Sequence, residues 1–66
     1  MPKPAALVLV DGSSGLQFDY GLPESLADSV AIGCRVRVPL RNRAAIGTVI
    51  DLREVEEQGF RLKDIQ

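Results

Sequence analysis

The sequence predicts an all-β module: a small twisted sheet or open barrel of four to five short strands with little helix. Three observations carry that expectation. Gly33–Leu52 alternates Val36 and Val38 with Arg35 and Arg37, crosses a polar turn at Arg41-Asn42-Arg43, and resumes as an apolar, β-branched run. Such alternation marks a half-buried strand, and two runs joined by a short polar link read as an antiparallel hairpin. Ala5–Val10 is a continuous apolar run short enough for a buried strand. Leu16–Tyr20 sets Leu16, Phe18 and Tyr20 against Gln17 and Asp19.

In chain order, Ala5–Val10 leads into Asp11-Gly12-Ser13-Ser14-Gly15. Glycines that accept positive φ and side chains that bond locally to backbone predict a mobile loop here. Leu16–Tyr20 is the second strand, ended by Gly21-Leu22-Pro23. Pro23–Asp28 has proline and an acid where a helix start favours them, but it has room for one or two turns at most. It reads as a short turn or 3₁₀ segment whose Leu22 and Leu26 cover an open end of the sheet. The third strand is Cys34–Pro39, stopped by its proline. The fourth, Ala45–Leu52, contains Gly47, and an interior glycine marks a bulge or a close backbone approach. Arg53–Gly59 is charged and expected to stay at the surface. Phe60–Ile65 alternates again, and periodicity leaves a fifth strand and a helix both open.

Sixty-six residues make one small domain or part of one, and a chain this short is marginal without help. A single cysteine, Cys34, excludes an internal disulfide, and with no histidine a zinc site of the usual ligand types is implausible. The expectation is therefore that residues 1–66 form one module of a larger protein. The ending Lys63-Asp64-Ile65-Gln66, without a turn signal, reads the same way. The apolar run after Pro4 is too short for a spanning helix or a secretory leader. One unpaired cysteine suits a reducing compartment, so the expected location is cytoplasmic.

Catalysis has little to stand on. No histidine can serve as a neutral-pH base. Cys34 reads as a buried structural thiol, since free cysteine packs like a small hydrophobe. Ser13 and Ser14 sit in a loop without a base, Glu54, Glu56 and Glu57 look like a solvated face, and no GxxxxGK[ST] phosphate loop occurs. No metal or cofactor is expected in this segment.

The arginines are more informative. Formal net charge is −1, yet Arg35, Arg37, Arg41 and Arg43 fall in one stretch without an acid. A guanidinium group meets phosphate with two hydrogen bonds and stacks on bases. Charged side chains on a strand also protect sheet edges from aggregation. Charge distribution leaves both readings open.

The blocks Phe18-Asp19-Tyr20-Gly21-Leu22-Pro23-Glu24, Gly33–Leu40 (GCRVRVPL) and Ile46–Leu52 (IGTVIDL) carry a resemblance. In this order and near these spacings they resemble the N-terminus of the PriA family of primosomal replication-restart helicases. That family's pattern is an apolar strand, an F-D-Y-x-x-P block, a G-x-R-V-x-V-P block, a basic loop and an I-G-x-V strand. Here these fall on Leu7–Val10, Phe18–Pro23, Gly33–Leu40, Arg41–Arg43 and Ile46–Val49.

The resemblance implies an OB-like module that binds DNA 3′ ends, recognising the 3′-hydroxyl of the nascent leading strand at a stalled fork. Phe18 would line the terminal base, Asp19 would accept hydrogen bonds from the 3′-hydroxyl or base edge, and Lys63 would supply positive charge. Arg41, Arg43, Arg35 and Arg37 are candidate DNA contacts, whereas Tyr20 reads as a core aromatic. ATP and zinc belong to other domains of the implied parent helicase. Its partners would be forked DNA with a free 3′ end and other primosome proteins, at the bacterial nucleoid and away from membranes. Two departures stand out: Asp11–Gly15 replaces a proline-rich connection, and Arg41 stands where relatives place glycine. The competing reading is a non-catalytic β-module for protein interaction or interdomain packing.

Overall fold

A computed structural model describes residues 2–59 and 61–66. Four antiparallel strands form one open sheet in the order β2-β1-β4-β3: β1 Pro2–Val10, β2 Gln17–Gly21, β3 Arg35–Leu40 and β4 Arg43–Glu56. The all-β expectation holds, with an open sheet rather than a closed barrel. A single 3₁₀ turn, Glu24–Leu26, lies between β2 and β3, as Pro23–Asp28 suggests. Leu22, Leu26 and Val30 from this connection pack half-buried against the core. Among the described residues, no helix is long and apolar enough to cross a membrane.

The core is built from small side chains because the strands supply mostly valine. Ala6, Val8 and Val10 of β1 meet Val36 and Val38 of β3, Val49 of β4, Tyr20 of β2 and Ile65 of the C-terminal segment. These positions alternate along their strands, as side chains on one pleated face must. Cys34 is half-buried rather than fully buried; its thiol faces Ser29 O at 3.7 Å and accepts from Ala31 N–H at 3.4 Å.

Strand bounds differ from the sequence reading at both ends of the sheet. β1 begins at Pro2, where Pro2 and Pro4 pair with Glu56 and Glu54. β2 ends opposite Ala5; past it Leu22 N–H donates to Pro4 O at 3.0 Å, but no strand pairs with this part of β1 on that side, so it tolerates proline as an edge does. β3 runs through Pro39 to Leu40 and is itself an edge strand. β4 continues past Leu52 to Glu56, so the charged stretch from Arg53 begins as strand, with Arg53, Glu54 and Glu56 exposed as expected. Leu7 pairs with Asp51 but Val8 with Val49, leaving Ile50 as the extra residue of a bulge. Gly47 marks a close backbone approach instead: a Cβ there would meet Val8 Cγ1 and lie 2.7 Å from Leu9 O.

Among the described residues, 61–66 form neither a strand of the sheet nor a helix. Phe60 lies outside the described residues. Beyond it, Gly21 N–H donates to Lys63 O at 2.8 Å and Ile65 N–H donates to Gly21 O at 3.0 Å, a lone parallel bridge on the β2 edge. Gln66 N–H donates to Arg37 O at 2.8 Å on the β3 edge. One short tail thus spans from one edge of the sheet toward the other and carries Lys63 with it.

The Asp11–Gly15 loop carries hydrogen bonds of its own and one to β4. Ser13 Oγ donates to Val10 O at 2.6 Å and accepts from Leu16 N–H at 3.0 Å, while Asp11 N–H donates to Ile46 O at 2.9 Å. At the β3–β4 turn, Leu40 pairs with Arg43, leaving Arg41 and Asn42 as the loop. Arg41 has φ 59°, a left-handed conformation at the first turn position, where two-residue hairpins favour glycine. Holding a side chain there costs about 1–2 kcal/mol, which glycine's greater unfolded-state freedom offsets by about 0.5–1 kcal/mol. Arg41→Gly is accordingly expected to stabilise the chain by up to about 1 kcal/mol, read as a raised urea midpoint.

Candidate nucleic-acid interface

A cleft of about 400 Å³ opens where the ends of β2 and β3 and the C-terminal tail converge. Phe18, Asp19 and Tyr20 come from β2, Pro39 and Leu40 from β3, Arg41 from the turn, Val55 from β4, and Arg61, Leu62 and Lys63 from the tail. Its floor and walls are apolar, with three cations against a single carboxylate. The near-neutral whole chain therefore hides a locally positive site, and distribution outweighs net charge in reading a nucleic-acid surface.

Tyr20 holds the converging strands together. It is buried, and its hydroxyl donates to Pro39 O at 3.0 Å, linking the two edge strands. Burial raises its phenol above the ordinary pKa. Phe18 makes a T-shaped contact with Tyr20, with centroids 6.5 Å apart, yet remains 38% exposed. One aromatic is structural and braces the other, which offers surface to the cleft.

Asp19 is gripped by a residue that sequence reading missed. Arg53 Nε donates to Asp19 Oδ1 at 2.9 Å and Arg53 Nη2 to Oδ2 at 2.7 Å. The pair reaches across β1, where Asp19 sits opposite Leu7 and Arg53 opposite Ala5. The Asp19 hydrogen bonds, reinforced by its charge, raise the Arg53 pKa. A carboxylate has about four lone-pair sites, so this two-pronged grip orients Asp19, which lines the cleft, without exhausting its acceptor capacity.

The tail is fixed in turn by Glu57. Leu62 N–H donates to Glu57 Oε2 at 2.6 Å, and Lys3 Nζ lies 3.3 Å from Oε1. The Leu62 hydrogen bond, then Lys3 and Arg61, hold the Glu57 carboxyl below its ordinary value of 4.5. A carboxyl depressed on folding stabilises fully above its unfolded pKa, and that contribution fades as pH falls through the folded value. The Leu62 amide resonance is therefore expected to titrate with a midpoint below 4.5 and to stop titrating in Glu57→Gln.

Phe18, Asp19, Lys63 and Arg41 thus share one cleft, and Arg43 borders an adjoining depression. Arg35 and Arg37 line neither. Arg35 pairs with both carboxylate oxygens of Asp11, Nη1 donating to Oδ1 at 3.0 Å, and also donates to Thr48 Oγ1 at 3.0 Å. That hydrogen bonding lowers the Asp11 pKa and raises that of Arg35. Arg37 is exposed on the same strand. Among the described residues, no group of three His, Cys, Asp or Glu side chains is arranged to hold a metal ion.

The family model of the PriA 3′-DNA-binding domain (3′BD) matches residues 7–66. The chain belongs to that family. It is a DNA-binding domain family, so DNA is the partner class. Comparison with curated proteins returned no match, and neither did comparison with solved structures. Family membership accounts for the resemblance carried by the F-D-Y and V-P blocks. Arg53, Arg61 and Leu62 come from the geometry, since register and tail docking bring them to the site.

Proposed function

We propose that this chain reads the 3′ end of DNA for a PriA-type replication-restart helicase. The terminal nucleotide of a nascent leading strand enters the cleft, its base against Phe18 and its 3′-hydroxyl donating to Asp19. Lys63, Arg61 and Arg41 balance the phosphate charge. The observation that supports this reading most is the convergence of Phe18, Asp19, Arg41 and Lys63, from three separate stretches of chain, on one cleft.

The chemistry suits an unblocked end. A carboxylate accepts from a hydroxyl but repels a terminal phosphate, so Asp19 supplies both an attraction and a repulsion, as specificity requires. An aromatic face stacks on any base, worth about 1–3 kcal/mol, which reads an end without reading sequence. One terminal nucleotide needs few phosphate contacts, in keeping with a net charge of −1. In this reading the ATP-driven motor and zinc element lie elsewhere in the parent helicase, which acts on forked DNA with other primosome proteins in the bacterial cytoplasm.

The test is a comparison of single-stranded oligonucleotides ending in 3′-hydroxyl and 3′-phosphate, by fluorescence anisotropy at fixed salt. A hydrogen bond to a charged group contributes about 1.5–3 kcal/mol, so the hydroxyl end is expected to bind about tenfold tighter or more. Equal affinities would reduce the interaction to charge attraction. Absence of binding to either would favour the protein-interaction module instead.

A further inference from the structure

A second depression, of about 220 Å³, adjoins the cleft and is lined by Ser13, Leu16, Phe18, Leu40, Arg41 and Arg43. Phe18, Leu40 and Arg41 belong to both, so they form a shared wall with one hollow on each side. The second hollow combines two features. Leu16 is 54% exposed and offers apolar surface to the hollow, and Ser13 holds its backbone by accepting from Leu16 N–H at 3.0 Å. Arg41 and Arg43 rim the hollow, and among the described residues neither is paired with a carboxylate, unlike Arg35 and Arg53.

We infer that this hollow holds the second nucleotide of a single-stranded 3′ end. Its base packs on Leu16 and Phe18, and the phosphodiester joining it to the terminal nucleotide lies against Arg41 and Arg43. Apolar surface beside unpaired cations is the arrangement that single-stranded nucleic-acid sites use, stacking bases while tracking the backbone. Continuity with the cleft through Phe18 and Arg41 favours a nucleotide covalently joined to the first over an unrelated ligand. The footprint is then two unpaired nucleotides, and a fully base-paired terminus has to fray before it binds.

This inference rests on the terminal-nucleotide reading of the cleft, and one titration series separates the two. Binding is measured for a deoxynucleoside 5′-phosphate, a dinucleoside monophosphate, its methylphosphonate analogue and a trinucleotide, all with 3′-hydroxyl ends, and for the dinucleotide with a 3′-phosphate. The dinucleotide is expected to bind about tenfold tighter than the mononucleotide, with little further gain from a third nucleotide. Leu16→Ser, an exposed position whose folding is checked by circular dichroism, should bring that ratio toward one. In Arg43→Ala the phosphodiester and methylphosphonate dinucleotides should bind alike. A ratio near one in the unaltered chain, or a ratio unmoved by Leu16→Ser, overturns the second subsite. Loss of hydroxyl preference with the dinucleotide gain intact overturns the end-reading cleft and leaves the subsite standing.

Discussion

Gly47→Ala is expected to cost the chain a large part of its folding stability. Gly47 lies in β4 opposite Val10 of β1 and Val36 of β3, at the centre of the sheet. An added Cβ would meet Val8 Cγ1, approach Leu9 O to 2.7 Å and lie 3.3 Å from the Leu9 carbonyl carbon. Val8 is fully buried and cannot swing away, and the Leu9 carbonyl is part of the β1 backbone. Relief therefore requires β1 and β4 to part. Overpacking a core costs about 1–3 kcal/mol, and more when backbone must move. A 66-residue domain has only about 3–10 kcal/mol in hand. Far-ultraviolet circular dichroism and urea titration should show a large drop in midpoint or no folded baseline. A midpoint equal to that of the unaltered chain would mean that the two strands are farther apart than described.

Asp19→Asn should abolish the hydroxyl preference without abolishing DNA binding. Asparagine keeps the shape and one acceptor but removes the charge that repels a terminal phosphate. It also releases Arg53, whose guanidinium is now held by both Asp19 oxygens. A freed cation beside the cleft strengthens attraction for any phosphate. The signature is thus a crossing: affinity for 3′-hydroxyl ends falls, affinity for 3′-phosphate ends rises, and the roughly tenfold gap closes. A general loss of both would point to unfolding, which circular dichroism reports separately. Retention of the gap would remove Asp19 as the group that reads the end.

What the sequence discloses, and what it hides, follows from the range of the forces involved. Val36 and Val38 against Arg35 and Arg37, and the β-branched run after Ala45, announce their strands because period-two burial is local information. The far half of β4 is silent for a specific reason. The extra residue Ile50 reverses the alternation, so Arg53 loses the phase that counting from Val49 would assign it. Its neighbours Glu54 and Glu56 pair with Pro4 and Pro2, beyond the end of β2, where no core demands apolar side chains. The Asp19–Arg53 grip joins residues far apart in sequence and depends on that bulge, so no local pattern could disclose it.

Periodicity leaves the tail open for a related reason: it meets the sheet through backbone groups of Gly21 and Arg37 and buries mainly Ile65. Phe18, Asp19 and Lys63 became candidate site residues through family likeness, not through periodicity or charge. The loop composition of Asp11–Gly15 suggested mobility because it lists residues that can bond locally. Ser13 does bond locally, to Val10 O and Leu16 N–H, and so joins the two ends of the loop next to Leu16.

DNA is expected to meet this chain in the cleft between Phe18, Asp19, Arg41 and Lys63, not along the arginine face of β3. Backbone amide NMR during titration with a short single strand ending in a 3′-hydroxyl tests it directly. The expected result is a cluster of shifts at Phe18, Asp19, Leu40, Arg41, Leu62 and Lys63, with Arg35 and Arg37 nearly still. Shifts centred on Arg35 and Arg37, with Asp19 and Lys63 unmoved, would contradict it.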